Sequence, residues 1–161
     1  MKPWERYSFN VAAAVVALTG IVYFWMEYGM STDDPFAVVN HPWQPHMLSL
    51  HVLAAPALLV IFGIIFNSHI GRKLRSCRPN RTTGLLSLGT FALMTLSGYL
   101  LQVVTSPGAR RACLILHLAT GAVFAVSYVV HLVVGLRLEA KARASATGAK
   151  PPLPADERLT A

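Results

Sequence analysis

Four long apolar runs dominate the chain, and each ends at a turn signal or at a cluster of charged residues. A helix needs about 20 mostly apolar residues to cross roughly 30 Å of bilayer hydrocarbon. The runs are long enough for this, and we place the spans at about residues 8–28, 47–70, 84–104 and 112–136. The pattern therefore predicts an all-α integral membrane protein built as a four-helix bundle.

The boundaries of the spans follow from local signals. Gly71-Arg72-Lys73 closes the second run, and Ser106-Pro107-Gly108 separates the third from the fourth. The first run ends in aromatic residues typical of a membrane interface and lacks a small-residue cleavage site, so we interpret it as a retained helix. We expect a membrane domain over 1–143 and a flexible cytoplasmic tail over 144–161, which is rich in proline and small residues.

Composition and charge narrow the functional classes. Only 13% of residues are charged, against about a quarter in a typical soluble protein, and 54% are hydrophobic. The net charge is +7, and the basic residues that produce it lie between the apolar runs rather than along an amphipathic face. This distribution argues against a nucleic-acid partner. No Cys-x-x-Cys-His occurs, which excludes covalent c-type haem attachment.

The basic residues also predict the orientation in the membrane. Of the 14 lysines and arginines, all but Arg110 and Arg111 lie in the N-terminal segment, the connection between spans two and three, or the tail. Because cytoplasmic segments carry the excess of lysine and arginine, both termini are expected on the cytoplasmic side of a bacterial inner membrane.

Four histidines lie within the predicted spans, and they occur only in the second and the fourth. Ionisable residues inside a bilayer are costly, so we treat them as candidate functional residues. His51 and His69 are 18 residues apart, or five helical turns; His117 and His131 are 14 apart, about 40° short of four turns. Each pair therefore shares one helix face.

The topology then places these histidines in two pairs across the helices. The second and fourth spans run in the same direction, so His51 and His117 lie toward the outer side, and His69 and His131 toward the inner side. Two facing imidazoles can hold one haem iron from both sides, which leaves no open coordination position and suits electron transfer. We predict two non-covalent haems b, with these four histidines as the iron ligands.

Neighbouring residues fit this interpretation. Gly121 and Gly135 each follow a histidine of the fourth span by four residues and would leave room for a flat macrocycle. Gly84 and Gly98 on the third span repeat the 14-residue spacing, and Gly20 lies on the first. Two phenylalanines lie midway between the histidines and would separate two haems; they are Phe62 and Phe124.

Charged and polar residues at the membrane boundary are further candidates. Arg110 and Arg111 could pair with haem propionates on the outer side, since arginine binds carboxylates through two hydrogen bonds. His41 and His46 in the outer loop could bond a propionate or line a quinone pocket, and an ordinary interfacial loop is the favoured alternative.

Two functions without haem stay open at this point. Intramembrane histidines also serve helix packing and proton relays. The chain could be a haem-free structural subunit of a larger membrane complex, or a small histidine-lined transporter or proton pathway. The absence of acidic residues deep within the spans argues mildly against a cation transporter.

Three stretches carry a resemblance to a known family. They are residues 51–70, the sequence LSGYLLQ at 96–102, and HLATG at 117–121 continuing to His131. Over about 42–137 the chain resembles the small bacterial di-haem cytochromes b, which are similar to the cytochrome b subunits of hydrogenases and formate dehydrogenases. The spacing of 18 on the second span departs from the family and requires tilted helices or an offset inner haem.

The resemblance implies a four-helix bundle with bis-histidine haems that exchanges electrons between a quinone and a redox partner. The partner would be a protein such as a periplasmic cytochrome or an oxidoreductase complex. The chain has little mass outside the spans and no phosphate loop, nucleophile motif or zinc-site spacing. We therefore predict no catalytic residues, and a subunit or relay rather than a self-contained enzyme.

Overall fold

All regular structure in the described residues is helical. A computed structural model of the chain describes residues 2–66, 71 and 81–147. The helices are α1 (Pro3–Phe24), α2 (Gln44–Ile65), α3 (Arg81–Val103) and α4 (Pro107–Thr147), and a π-turn (Trp25–Gly29) extends α1. All four are long and apolar enough to cross a membrane, which confirms the prediction of an all-α chain with four spanning helices.

Prolines mark two of the helix starts. Pro3 begins α1, where proline removes an N–H that no helical carbonyl would accept. Pro107 begins α4 after the short connection over residues 104–106, at the predicted Ser106-Pro107-Gly108 break. Helix α4 runs on to Thr147, past the boundary expected at residue 143; the rest of the expected tail, 148–161, lies outside the described residues.

The helices pack as two hairpins. The first hairpin consists of α1, the π-turn, the connection over 30–43 and α2; the second consists of α3 and α4. Within each hairpin the helices run antiparallel, and the end that carries the connection is called the connected end below. Large apolar side chains such as Leu53 and Val126 cover the outer surfaces, as expected where helices face lipid.

The seam of the second hairpin is partly polar. Its buried polar side chains are Ser87, Ser97, Thr120 and Ser127. Ser87 Oγ donates a hydrogen bond to Ser127 Oγ across the helices, at 3.0 Å. Small hydroxyl residues let the helix backbones approach closely, and their hydroxyls join the helices in a medium that offers no water.

A hydrogen-bond network ties the connection of the first hairpin to its helices. The buried Gln44, the first residue of α2, donates through Nε2 to the Glu27 carboxylate in the π-turn. Asn40 Nδ2 donates to the Glu27 carbonyl at 2.9 Å, and the Asn40 backbone N–H donates to Gln44 Oε1 at 3.0 Å. The network fixes the start of α2, two turns before His51.

Candidate functional site

Three of the four predicted ligand histidines lie in the described residues. His51 is on α2, and His117 and His131 are on α4; all three are half-buried. His51 and His117 lie toward the connected ends of their hairpins, and His131 lies toward the opposite end of the second. His69 falls outside the described residues.

Each of these histidines packs against a glycine of the neighbouring helix. A Cβ placed on Gly20 would lie 2.8 Å from His51 Cε1, and one on Gly98 would lie 3.0 Å from His117 Cε1. The corresponding distance from Gly84 to His131 Cε1 is 3.1 Å. Such distances are shorter than ordinary van der Waals contact, so any side chain at these three positions would push the imidazole away.

The Nδ1 atom of each ring is hydrogen-bonded to the helix that carries the facing glycine, which is α1 for His51 and α3 for His117 and His131. His51 Nδ1 lies 2.9 Å from the Val16 carbonyl oxygen, and His117 Nδ1 lies 2.9 Å from the Met94 carbonyl oxygen. His131 Nδ1 instead lies 3.1 Å from the hydroxyl of Thr83. The three rings are thus held from one side by the helix that also supplies the glycine.

These partners determine the tautomer of two histidines. A carbonyl oxygen only accepts hydrogen bonds, so Nδ1 of His51 and Nδ1 of His117 must carry the proton. In the neutral imidazole, Nε2 then holds the lone pair that a metal ion requires. Histidines that ligate metals have the same arrangement, with the second ring nitrogen donating to a carbonyl or carboxylate.

The three rings also share one orientation. In every case the edge formed by Cε1 and Nδ1 faces the glycine, and Nε2 is the more distant nitrogen. From the glycine Cβ position Nε2 lies at 3.7 Å for His51, 4.0 Å for His117 and 4.0 Å for His131. A common ring orientation at three separate sites fits a common role for the Nε2 atoms.

Aromatic pairs lie between the histidine sites along the hairpins. In the second hairpin Phe91 faces Phe124, with ring centroids 5.3 Å apart, and Phe91 is buried. Phe124 lies seven residues from each of the two histidines of α4, and Phe91 lies seven from Gly84 and from Gly98, the two glycines of α3 that face those histidines. The facing pairs therefore form a ladder of histidine on glycine, phenylalanine on phenylalanine, and histidine on glycine.

The seven-residue spacing resolves the 40° offset between His117 and His131. Helices that repeat every seven residues wind around each other in a left-handed supercoil with 3.5 residues per turn of the seam. Fourteen residues are then four full turns, so both histidines stay on the seam with α3. Helix α2 has the same seven-residue repeat in Gln44, His51, Leu58 and Ile65; His51 contacts α1, and the other three residues are buried.

The connected ends of the two hairpins have equivalent sites. In both, the histidine packs on a glycine and donates to the carbonyl four residues before that glycine. Phe62 lies eleven residues after His51 and faces Phe9, eleven residues before Gly20, at a centroid distance of 6.3 Å. At this end the first hairpin therefore also has a histidine on a glycine and then a pair of phenylalanines, with a spacing of eleven residues instead of seven.

The other predicted site residues have varied surroundings. A Cβ on Gly121 would meet Met94 Sδ at 3.5 Å, and one on Gly135 would meet nothing within 4 Å. Arg110 and Arg111 are exposed in the first turns of α4. The structure places these four residues without testing their expected contacts with haem.

The other two described histidines, His41 in the connection and His46 in the first turn of α2, differ from these three. His41 Nδ1 accepts a hydrogen bond from the Trp43 backbone N–H at 3.1 Å, so it holds the opposite tautomer to His51. His46 lies edge-on to Trp43, with ring centroids 6.1 Å apart, on the wall of an open cleft with Met47 and Leu50. Neither His41 nor His46 packs on a glycine within the described residues.

Two features of the site were not predicted from the sequence. Gly20, Gly84 and Gly98 face histidine rings directly. From the sequence, glycines near the histidines were expected to leave room for a flat macrocycle. The hydroxyl residue before each of these glycines was also missed, although the dipeptides Thr19-Gly20, Thr83-Gly84 and Ser97-Gly98 stand in the sequence. Their repetition is the signal that would have found them.

Comparison with known proteins adds no assignment to this geometry. No family model, curated protein or solved structure matches the chain. Within the described residues, no three histidine, cysteine or acidic side chains converge as they would around a metal ion held by protein alone.

Proposed function

We propose that the chain is a di-haem b-type cytochrome that moves electrons across the membrane between a quinone pool and a redox partner protein. The observation that carries the proposal is the shared state of the three described histidines. Each lies in an apolar helix, is held at Nδ1 by the neighbouring helix, and has Nε2 as the ring nitrogen farther from that helix. This is the preparation that an axial haem ligand needs.

The proposed ligand pairs are His51 with His117 and His69 with His131. The first pair is proposed from the predicted topology, which puts His51 and His117 toward the same side of the membrane. Haem held by two imidazoles cycles between ferric and ferrous iron without binding oxygen. The protein would hold the rings, exclude water and set the electron affinity of each site.

The same hydrogen bonds argue against a proton relay through these histidines. A relay takes a proton at one ring nitrogen and releases it from the other. At His51 and His117 the Nδ1 proton points at a backbone carbonyl, which has no capacity to take it up. A fixed tautomer suits a metal ligand better than a proton carrier.

The remaining parts of the proposal rest on the sequence. The charge distribution supports an inner-membrane protein with cytoplasmic termini. The resemblance to di-haem cytochromes b supports the quinone and a redox protein as exchange partners, with the chain acting as a subunit or relay.

The haem count of histidine variants tests the proposal. A pyridine haemochrome assay and reduced-minus-oxidised spectra of the purified protein should give two haems b per chain. His117→Ala and His131→Ala should each lose one, and the double variant His51→Ala/His117→Ala should still retain one, because both changes remove ligands of the same haem. The variant His46→Ala, in the first turn of α2, is the matched control and should retain both.

Three outcomes would overturn the proposal or its pairing. Colourless wild-type protein, from cells with an adequate haem supply, would favour the structural-subunit alternative, and flux in liposomes without a redox donor would favour the transporter. A His51→Ala/His117→Ala variant without any haem, beside single variants that each retain one, would show that the two histidines serve different haems.

A further inference from the structure

The hydroxyl residue before each histidine-facing glycine lies at the hydrogen bond that holds the ring. Ser97 precedes Gly98, Thr83 precedes Gly84 and Thr19 precedes Gly20. Thr83 contacts its histidine directly, whereas Ser97 acts on the carbonyl that its histidine uses. The two arrangements have opposite consequences for the imidazole.

Ser97 shares an acceptor with His117. Its side chain is fully buried, and its Oγ lies 2.8 Å from the Leu93 carbonyl and 3.0 Å from the Met94 carbonyl, with which it can form hydrogen bonds. The Met94 oxygen also accepts the bond from His117 Nδ1. An oxygen that serves two donors is a weaker acceptor for each of them, so the Ser97 hydroxyl weakens the hold on the His117 proton.

The first hairpin repeats this arrangement. Thr19 Oγ1 lies 2.7 Å from the Val15 carbonyl and 3.1 Å from the Val16 carbonyl, and the Val16 oxygen also accepts from His51 Nδ1. Thr19 Oγ1 is in addition 3.4 Å from His51 Nδ1 itself, so it has two opposing effects there. Ser97 has the cleaner geometry and is the better position for an experiment.

Thr83 acts in the opposite sense at His131. Its hydroxyl oxygen is 3.1 Å from His131 Nδ1. Ligation through Nε2 requires the proton on Nδ1, and the Thr83 hydroxyl then accepts that proton's hydrogen bond. Thr83 therefore strengthens the hold on the His131 proton, whereas Ser97 weakens the hold on that of His117.

We propose that Ser97 and Thr83 are positioning residues that tune the two haem sites in opposite directions. The inference rests on the proposed function. A stronger acceptor at Nδ1 makes the imidazole a more basic ligand, which stabilises ferric iron and lowers the reduction potential. Ser97 thus raises the potential of the site that contains His117, and Thr83 lowers that of the site that contains His131.

A redox titration of four variants tests this. Ser97→Ala should lower the potential of one haem, and Thr83→Val should raise that of the other, each changing the ferric-to-ferrous ratio at fixed ambient potential by roughly fivefold, for one hydrogen bond of ordinary strength. Ser97→Thr keeps a hydroxyl and should restore wild-type behaviour. Thr90→Val is the matched control, since the Thr90 hydroxyl bonds only the Leu86 and Ser87 carbonyls of its own helix.

A second readout does not depend on haem. In the haem-free protein labelled with ¹⁵N-histidine, the Nδ1 proton of His117 should move to lower field in Ser97→Ala, because its hydrogen bond strengthens. Because the measurement needs no haem, it tests the hydrogen bond of His117 even in a variant that folds but binds haem poorly.

The outcomes separate the two proposals. Wild-type protein without haem overturns the proposed function. Protein with two haems whose potentials do not respond, or respond in the same direction to both changes, overturns only the tuning role of Ser97 and Thr83. An unchanged His117 proton shift in Ser97→Ala overturns the shared-acceptor argument on which that role depends.

Discussion

A glycine beside each imidazole is the feature that most constrains the individual residues. The rings at His51, His117 and His131 lie so close to the facing helix that even a methyl group would displace them. Displacement would break the Nδ1 hydrogen bond and change the direction in which Nε2 points. Steric room and tautomer are therefore coupled at each site.

Gly98→Val should remove one of the two haems that the proposed function assigns to the protein. The added Cβ would lie 3.0 Å from His117 Cε1 and force the ring out of position. Gly89→Val is the matched control on the same helix, where an added Cβ meets nothing within 4 Å. Haemochrome assays should give one haem for the first variant and two for the second; two haems with wild-type potentials in Gly98→Val would contradict the steric argument.

The sequence predicted that His117 and His131 share one face of their helix, because helical spacing is regular, and both pack against the helix α3. It could not predict which nitrogen each ring offers, because that depends on a carbonyl of another helix. The contact between Gly84 and His131 was likewise hidden, since it depends on how the two helices align. Pairing of His51 with His117 stays a prediction.

At the scale of the elements, the second hairpin is held by a seam of small, polar and aromatic side chains rather than by large aliphatic ones. Lipid tails are as apolar as leucine, so apolar burial contributes little between membrane helices, and close packing must hold them. Phe91 and Phe124 fill the middle of the seam, and the Ser87–Ser127 bond lies beside them.

Phe91→Ala should destabilise the second hairpin by about 2 kcal/mol, mainly through lost packing and the cavity that remains, because lipid removes the transfer contribution seen in water-soluble cores. The side chain is 3% exposed, and its loss would leave a cavity against Phe124. Leu96→Ala is the control, because Leu96 is 58% exposed and should cost less than about 1 kcal/mol. Unfolding of the purified protein in SDS measures both, and equal losses would contradict the assignment of the seam.

The helix bounds show what hydrophobicity alone can predict at this scale. The four spans were found because length and apolar content are sufficient signals. The network of Glu27, Asn40 and Gln44 was not, since its hydrogen bonds join residues far apart in sequence. The continuation of α4 to Thr147 was missed because charged, helix-favouring residues beyond the span look like a tail.

For the whole molecule, the distribution of charge predicts the orientation. Helices α1 and α4 are bordered by lysine and arginine at the ends away from the connections, and the connection over 30–43 carries no basic residue. By the positive-inside rule the connected ends should face the periplasm. His51 and His117 would then each lie toward the periplasmic side of the membrane.

Cysteine labelling of intact cells tests this orientation. In a background with Cys77→Ser and Cys113→Ser, Ser31→Cys should react with a membrane-impermeant maleimide, because it lies in the outer connection. Ser145→Cys, at the far end of α4, should react only after the cells are opened. The reverse pattern would place the His51 site on the cytoplasmic side and contradict the charge argument.

The alternation of small and large residues along the second hairpin also determines how its helices can align. A repeat of seven residues would allow one helix to slide along the other by one repeat and meet similar spacing. Here such a slide would bring His131 against Phe91, where there is no room, and Phe124 against Gly98, where the smaller imidazole now fits. The misaligned hairpin is therefore overcrowded at both positions, so the side chains of the two helices by themselves select a single alignment.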